Sequence, residues 1–199
     1  MKNATKHADS LKSMLKKLLK QHDVPAIQPL NPLRALVRAC LCYDATDARA
    51  DEAMQIIDRD FVDLNELRVA TELENIEIIG PRYPEIEARV AMFTQCLNAI
   101  FAREHTLSLD RLKTLPRREA RQFLRELPGI TPFVEAYTTL YGLEAPAFPV
   151  DSGILAALQA EGAVEADATP EEAQKFVEHQ LKDDDCYKLF WCLRHRKKR

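Results

Sequence analysis

Only five glycines occur in 199 residues, and their placement constrains this chain more than any other feature. Gly80, Gly129, Gly142 and Gly162 each fall where a run of helix-spaced residues stops, so glycine reads as helix punctuation. No segment alternates apolar and polar residues cleanly enough, with turn glycines, to force a strand. The stretch 75–79 could be misread as one. Gly80 and Pro81 behind it favour a short helix that ends there. Leu11, Met14, Leu15, Leu18 and Leu19 lie on one helical stripe. Asn31-Pro32 joins an N-cap to a first-turn proline ahead of Leu33, Leu36, Val37 and Cys40. A third helix carries Ala50, Ala53, Met54 and Ile57, and another, from about 84 to 103, carries Ile86, Val90, Phe93, Leu97 and Ile100. Thr169-Pro170-Glu171-Glu172 has capping-box spacing and opens a helix with Ala173, Phe176, Val177 and Leu181. The expected fold class is all-α.

A chain of this length can bury a core as one domain or as two small lobes. Its formal net charge of −3 advertises no global attraction for nucleic acid. Basic charge sits at the ends instead: Lys12, Lys16, Lys17 and Lys20 near the start, and Arg194-His195-Arg196-Lys197-Lys198-Arg199 at the finish. Such runs either contact phosphates or are solvated faces. No apolar run approaches the roughly 20 residues that span a bilayer, and the start of the chain lacks the apolar centre of a signal peptide. Five cysteines without secretory context are expected to be reduced thiols of an intracellular protein. Cys40 and Cys42 lie in an apolar helix and are expected in the core. His7, His22, His105, His179 and His195 show no metal-ligand spacing.

Two motifs carry the chemistry. Leu127-Pro128-Gly129-Ile130-Thr131-Pro132 reads as a tight hairpin between two helices, the second capped by Thr131 and begun by Pro132. The amides that follow Gly129 would point outward at the positive end of a helix, which suits a phosphate oxygen. An ordinary turn between packed helices satisfies the same sequence. Downstream, Val150-Asp151-Ser152-Gly153 sets one carboxylate at the start of a helix carrying Ile154, Leu155 and Leu158, where aspartate is also a favoured cap.

Together these residues resemble the helix-hairpin-helix (HhH-GPD) DNA glycosylases of the endonuclease III superfamily. Their signature runs Leu-Pro-Gly-Val-Gly-x-Lys, followed at fixed distance by Val-Asp. Leu127-Pro128-Gly129-Ile130-Thr131 is similar to the first part, and the segment from Ala145 to Asp151 to the second. Cys42-Tyr43-Asp44-Ala45-Thr46-Asp47 resembles the family's Ser-Ala-Gln-Ala-Thr-Asp, and Ile78-Ile79-Gly80 with Ile86-Glu87-Ala88 resembles its Ile-Gly and Lys-Ala stretch. The likeness covers about residues 30–193. It implies a two-lobed fold: a helical barrel-like lobe at 26–145, with the helix-hairpin-helix at about 117–142, and a second helical lobe from 1–25 plus 146–199.

The resemblance also implies a function, base-excision repair of a damaged or mismatched base in double-stranded DNA, by a monomer. Asp151 would be the catalytic carboxylate, and Gly129, Ile130, Thr131 and Asp44 would meet DNA. The chain departs from the family in four places. Phe133 stands where bifunctional members carry their lysine, so no Schiff base can form and the expected enzyme is monofunctional and hydrolytic. Asp44 replaces the glutamine that fills the gap left by the flipped base. Thr131 replaces the second hairpin glycine, and Glu87 a lysine. Many relatives also hold an iron–sulfur cluster on four cysteines; here only Cys186 and Cys192 lie near the C-terminus, so neither cluster nor metal is expected. The alternative is a catalytically inactive paralogue, kept as a DNA-binding or helical interaction module. Tyr43, Tyr83, Tyr137 and Trp191 could stack on a base, although aromatics at helical spacing are more often core.

Overall fold

The computed structural model describes residues 4–196, and the last three residues of the basic run, Lys197-Lys198-Arg199, lie outside them. Eleven α-helices, one 3-10 turn and one π-helical turn account for its regular structure, with no strand among the described residues. The chain divides into two compact units. One runs from Pro29 to Glu144; the other joins the chain up to Gln28 to the chain from Ala145 onward.

The central unit is built around α2 (Pro32–Cys42). Asn31 caps it, its side-chain oxygen accepting from the amides of Leu33 (3.0 Å) and Arg34 (3.3 Å). Leu33, Ala35, Leu36, Val37, Ala39, Cys40 and Leu41 are all buried, so α2 is apolar nearly all round. Against it pack α3 (Asp47–Asp60), α6 (Ile86–Glu104) and α8 (Pro132–Tyr137), and α7 (Arg117–Arg125) packs on α8. Short α4 (Leu64–Val69) and α5 (Glu72–Ile79) bridge α3 to α6. As the sequence predicts, α5 stops at Gly80, which takes φ 113°. The helix expected from about 84 begins two residues later, because Glu85 turns into the left-handed region at φ 53°.

Past α8 the helix widens into a π turn, Thr138–Gly142. Its last residue makes a close approach to α2. A β-carbon on Gly142 would sit 2.8 Å from Cα of Pro32 and 3.0 Å from Cβ of Ala35. Gly142 therefore ends its element as a packing glycine rather than as a left-handed cap, and Leu30 N–H donates to Tyr141 O at 2.8 Å alongside.

The other unit gathers α1 (Ala4–Leu19), α9 (Ser152–Ala160), α10 (Pro170–Gln180) and α11 (Asp183–Arg194). Leu11, Met14 and Leu15 of α1 are buried with Ile154 and Leu158 of α9, Val177 of α10, and Leu189, Phe190 and Leu193 of α11. Phe148 meets Phe190 edge to face at 6.4 Å. Thr169 and Glu172 close the capping box that the sequence announces. All five cysteines are buried free thiols. No helix among the described residues is long and apolar enough to cross a membrane.

Candidate functional site

The hairpin follows from its residues. Glu126 ends α7, and Leu127 is buried as the apolar anchor of the turn. Gly129 takes φ 70°, a region costly for any residue with a β-carbon. Thr131 then caps α8, its Oγ1 accepting from Val134 N at 3.3 Å, with Pro132 at the first helical position. Ile130 N–H makes a long 3.4 Å bond back to Leu127 O, so it is less available to a ligand than the sequence suggests. Gly129 is exposed and Thr131 half-buried.

The hairpin is held from behind and from within. On α6, Cys96 Sγ lies 3.3 Å from Pro128 O, and Arg103 donates to Glu126 O at 3.1 Å. Inside the pair of helices, Arg121 donates to both carboxylate oxygens of Glu135, at 2.5 and 2.9 Å, and both side chains are buried. A two-pronged guanidinium–carboxylate contact fixes the relative rotation of α7 and α8. Nothing local in the sequence announces it.

Phe133 is 1% exposed. Its ring lies between Tyr43 (5.3 Å) and Tyr137 (5.8 Å), and Tyr137 stacks on Tyr141 at 4.5 Å. Tyr137 is therefore core: burial drives its phenol well above the usual range, and its hydroxyl accepts from Arg38. Arg38 in turn pairs with Asp47 and Asp51 at 3.3 and 2.8 Å. Asp44 is exposed and left-handed at φ 50°, a conformation aspartate tolerates better than most residues. Tyr83 is tied by its hydroxyl to Leu41 O at 2.8 Å, and burial pushes its phenol up to about 12 against the opposing charge of Arg89. Arg89 is buried within an apolar helix face and caps the end of α2, donating to Cys40 O (2.8 Å) and Leu41 O (2.9 Å).

Asp151 belongs to the other unit. It is the N-cap of α9, with Oδ1 accepting from Ile154 N at 2.8 Å. Its Oδ2 accepts from Arg194 Nη1 at 2.6 Å, and the two side chains are only 6% and 7% exposed. This corrects the expectation for the basic run. Arg194 is not a free phosphate contact, because the last turn of α11 delivers it to a buried carboxylate that needs a counter-charge. His195 stacks on Trp191 at 4.2 Å, and Arg196 donates to Gly153 O at 3.4 Å. The lysines of α1 stay exposed, Lys17 pairing loosely with Glu161 at 3.7 Å. Among the described residues no group of three His, Cys, Asp or Glu side chains is placed to hold a metal ion.

An all-helical unit around α2, a glycine hairpin braced by α6, and a helix begun by a carboxylate define the helix-hairpin-helix DNA glycosylase fold, and this chain has that fold. The match extends over nearly the whole chain. A trapped endonuclease III–DNA covalent intermediate aligns with a TM-score of 0.73 and 16% identity over 97% of this chain and 85% of that one. The 8-oxoguanine glycosylase/lyase of Clostridium acetobutylicum, in complex with double-stranded DNA, aligns with 0.76 and 16% over 98% and 70%. The 3-methyladenine DNA glycosylase of H. pylori, bound to 1,N6-ethenoadenine, aligns with 0.69 and 15% over 94% of each chain. No protein-family model and no curated protein matches the sequence.

Proposed function

We propose that this protein is a base-excision DNA glycosylase that hydrolyses the N-glycosidic bond of a damaged or mismatched base and leaves the strand uncut. The observation that carries the reading is that a chain with the glycosylase fold keeps both the hairpin turn at Gly129 and a carboxylate at the first cap of α9. Double-stranded DNA is the partner of an intracellular monomer. The amides of Gly129 and Thr131 grip a phosphate, and Asp44 lies at the gap that the flipped base leaves.

The chemistry follows from one acid and water. As the bond to a flipped-out base stretches, positive charge builds on the sugar, and the Asp151 carboxylate stabilises it. The bond between C1′ and the base nitrogen breaks, and water oxygen bonds to C1′. The proton that water sheds ends on the departing base. Asp151 orients that water. Phe133 supplies no amine, so no imine forms between enzyme and sugar. The reading involves no iron–sulfur cluster: such a cluster needs four thiolates, and α11 offers only Cys186 and Cys192, both buried among apolar side chains.

A panel of labelled duplexes tests it, each with one damaged or mismatched base, incubated with the protein and then treated with hot alkali. Strand cleavage that appears only after alkali is expected. Cleavage without alkali, or an adduct trapped by borohydride, would contradict the hydrolytic route. A second reading, a non-catalytic DNA-binding paralogue, is favoured by the two bonds Asp151 already makes, Oδ1 with Ile154 N–H and Oδ2 with Arg194. It predicts salt-dependent duplex binding with no base release.

A further inference from the structure

The Arg194–Asp151 pair does more than favour one reading over another. We propose that Arg194 restrains Asp151, so that the strength of this one ion pair sets the rate of base release; the inference rests on Asp151 being the acid of the proposed hydrolysis. Both carboxylate oxygens are engaged, Oδ1 by Ile154 N–H at 2.8 Å and Oδ2 by the guanidinium at 2.6 Å. A carboxylate acts on a positively charged sugar through its net field. Matched by a cation at contact distance, that field becomes a dipole's, which falls off faster with distance than a lone charge's. Burial strengthens the pair and leaves little water to compete for it.

The pair is built in, not a chance surface contact. Arg194 is 43 residues from Asp151 in sequence and arrives from the last turn of α11, where a cation is favoured by the helix dipole. Asp183, Asp184 and Asp185 occupy the first turn of the same helix, the complementary end. Arg196 continues the contact by donating to Gly153 O, so two successive arginines of the basic run lie over the first turn of α9. The run that reads as a DNA-binding tail is, in its described part, a clasp on the acid.

The test is the single-turnover rate of base release, enzyme in excess, for wild type, Arg194→Gln, Arg194→Lys and the double variant Arg194→Gln/Asp151→Asn. The probes are duplexes holding 8-oxoguanine opposite cytosine, 1,N6-ethenoadenine, or thymine opposite guanine, the strand being read after alkali. Arg194→Gln is expected to release base at least about tenfold faster than wild type, at an unchanged half-saturating enzyme concentration. The double variant is expected to release none. A rate at or below wild type overturns the inference while wild-type release leaves the glycosylase reading standing. No release by any variant, with duplex binding retained, removes both. If circular dichroism shows that Arg194→Gln does not fold, Arg194→Lys decides. Its single, more mobile contact should give a rate above wild type, and a rate at or below it overturns the proposal.

Discussion

The proposed hydrolytic route rests on Phe133. It lacks an amine, and its ring is buried between Tyr43 and Tyr137. Supplying a lysine there is not expected to restore covalent chemistry, because the new ammonium would be buried between the Tyr43 and Tyr137 rings. Phe133→Lys is expected to lose several kcal/mol of stability, of order 3 or more, and to give no adduct in a borohydride trap. A trapped adduct would show that this position faces substrate. Gly142 offers a second test. A β-carbon 2.8 Å from Pro32 Cα has no room, so Gly142→Ala should lower stability by about 1–3 kcal/mol in a urea titration. Its role could not be read in advance: helix-end position pointed to a backbone cap, whereas the demand comes from a neighbour more than a hundred residues away.

At the scale of elements, local chemistry was legible and long-range pairing was not. Asn31, Thr131 and Thr169 cap the helices their sequences predict, since a cap is decided within three residues. Thr131→Ala should cost about 1 kcal/mol for that reason. Arg89 on the α2 carbonyls, Arg121 on Glu135, and Arg194 on Asp151 join residues 49, 14 and 43 positions apart. Only folding brings such partners together, and in sequence each arginine looks like solvated charge. The hairpin clamp is the sharpest case. Glu135→Gln should destabilise by roughly 3–5 kcal/mol, because it leaves the buried Arg121 without its counter-charge, while replacing both residues by apolar ones of similar size should recover much of the loss. Urea unfolding of the two variants measures the difference. An equal loss in both would show that the pair does not act as a unit.

For the molecule as a whole, buried thiols and phenols set a limit at alkaline pH. Burial pushes the Cys96 thiol and the Tyr83 phenol up to about 12, and raises Cys40 and Tyr137 well above their ordinary values. In the unfolded chain these groups ionise near 8.5 for cysteine and 10 for tyrosine, as roughly expected of free side chains. Folding therefore keeps them protonated. The stability this gives is complete below about pH 8 and is lost as pH rises through the folded values. The urea midpoint under reducing conditions should accordingly fall between pH 7.5 and 10; a midpoint unchanged over that range would contradict the burial of these groups. The fold class was readable from helix periodicity and glycine placement, and the hairpin and acid from two short motifs. What the sequence could not reveal is that the acid has a partner. The account turns on whether that acid works. Its most direct test is base release from lesion-bearing duplexes by wild type against Asp151→Asn, with folding and duplex binding verified for both. The account predicts alkali-revealed cleavage by wild type and none by the variant; release that survives the substitution would contradict it.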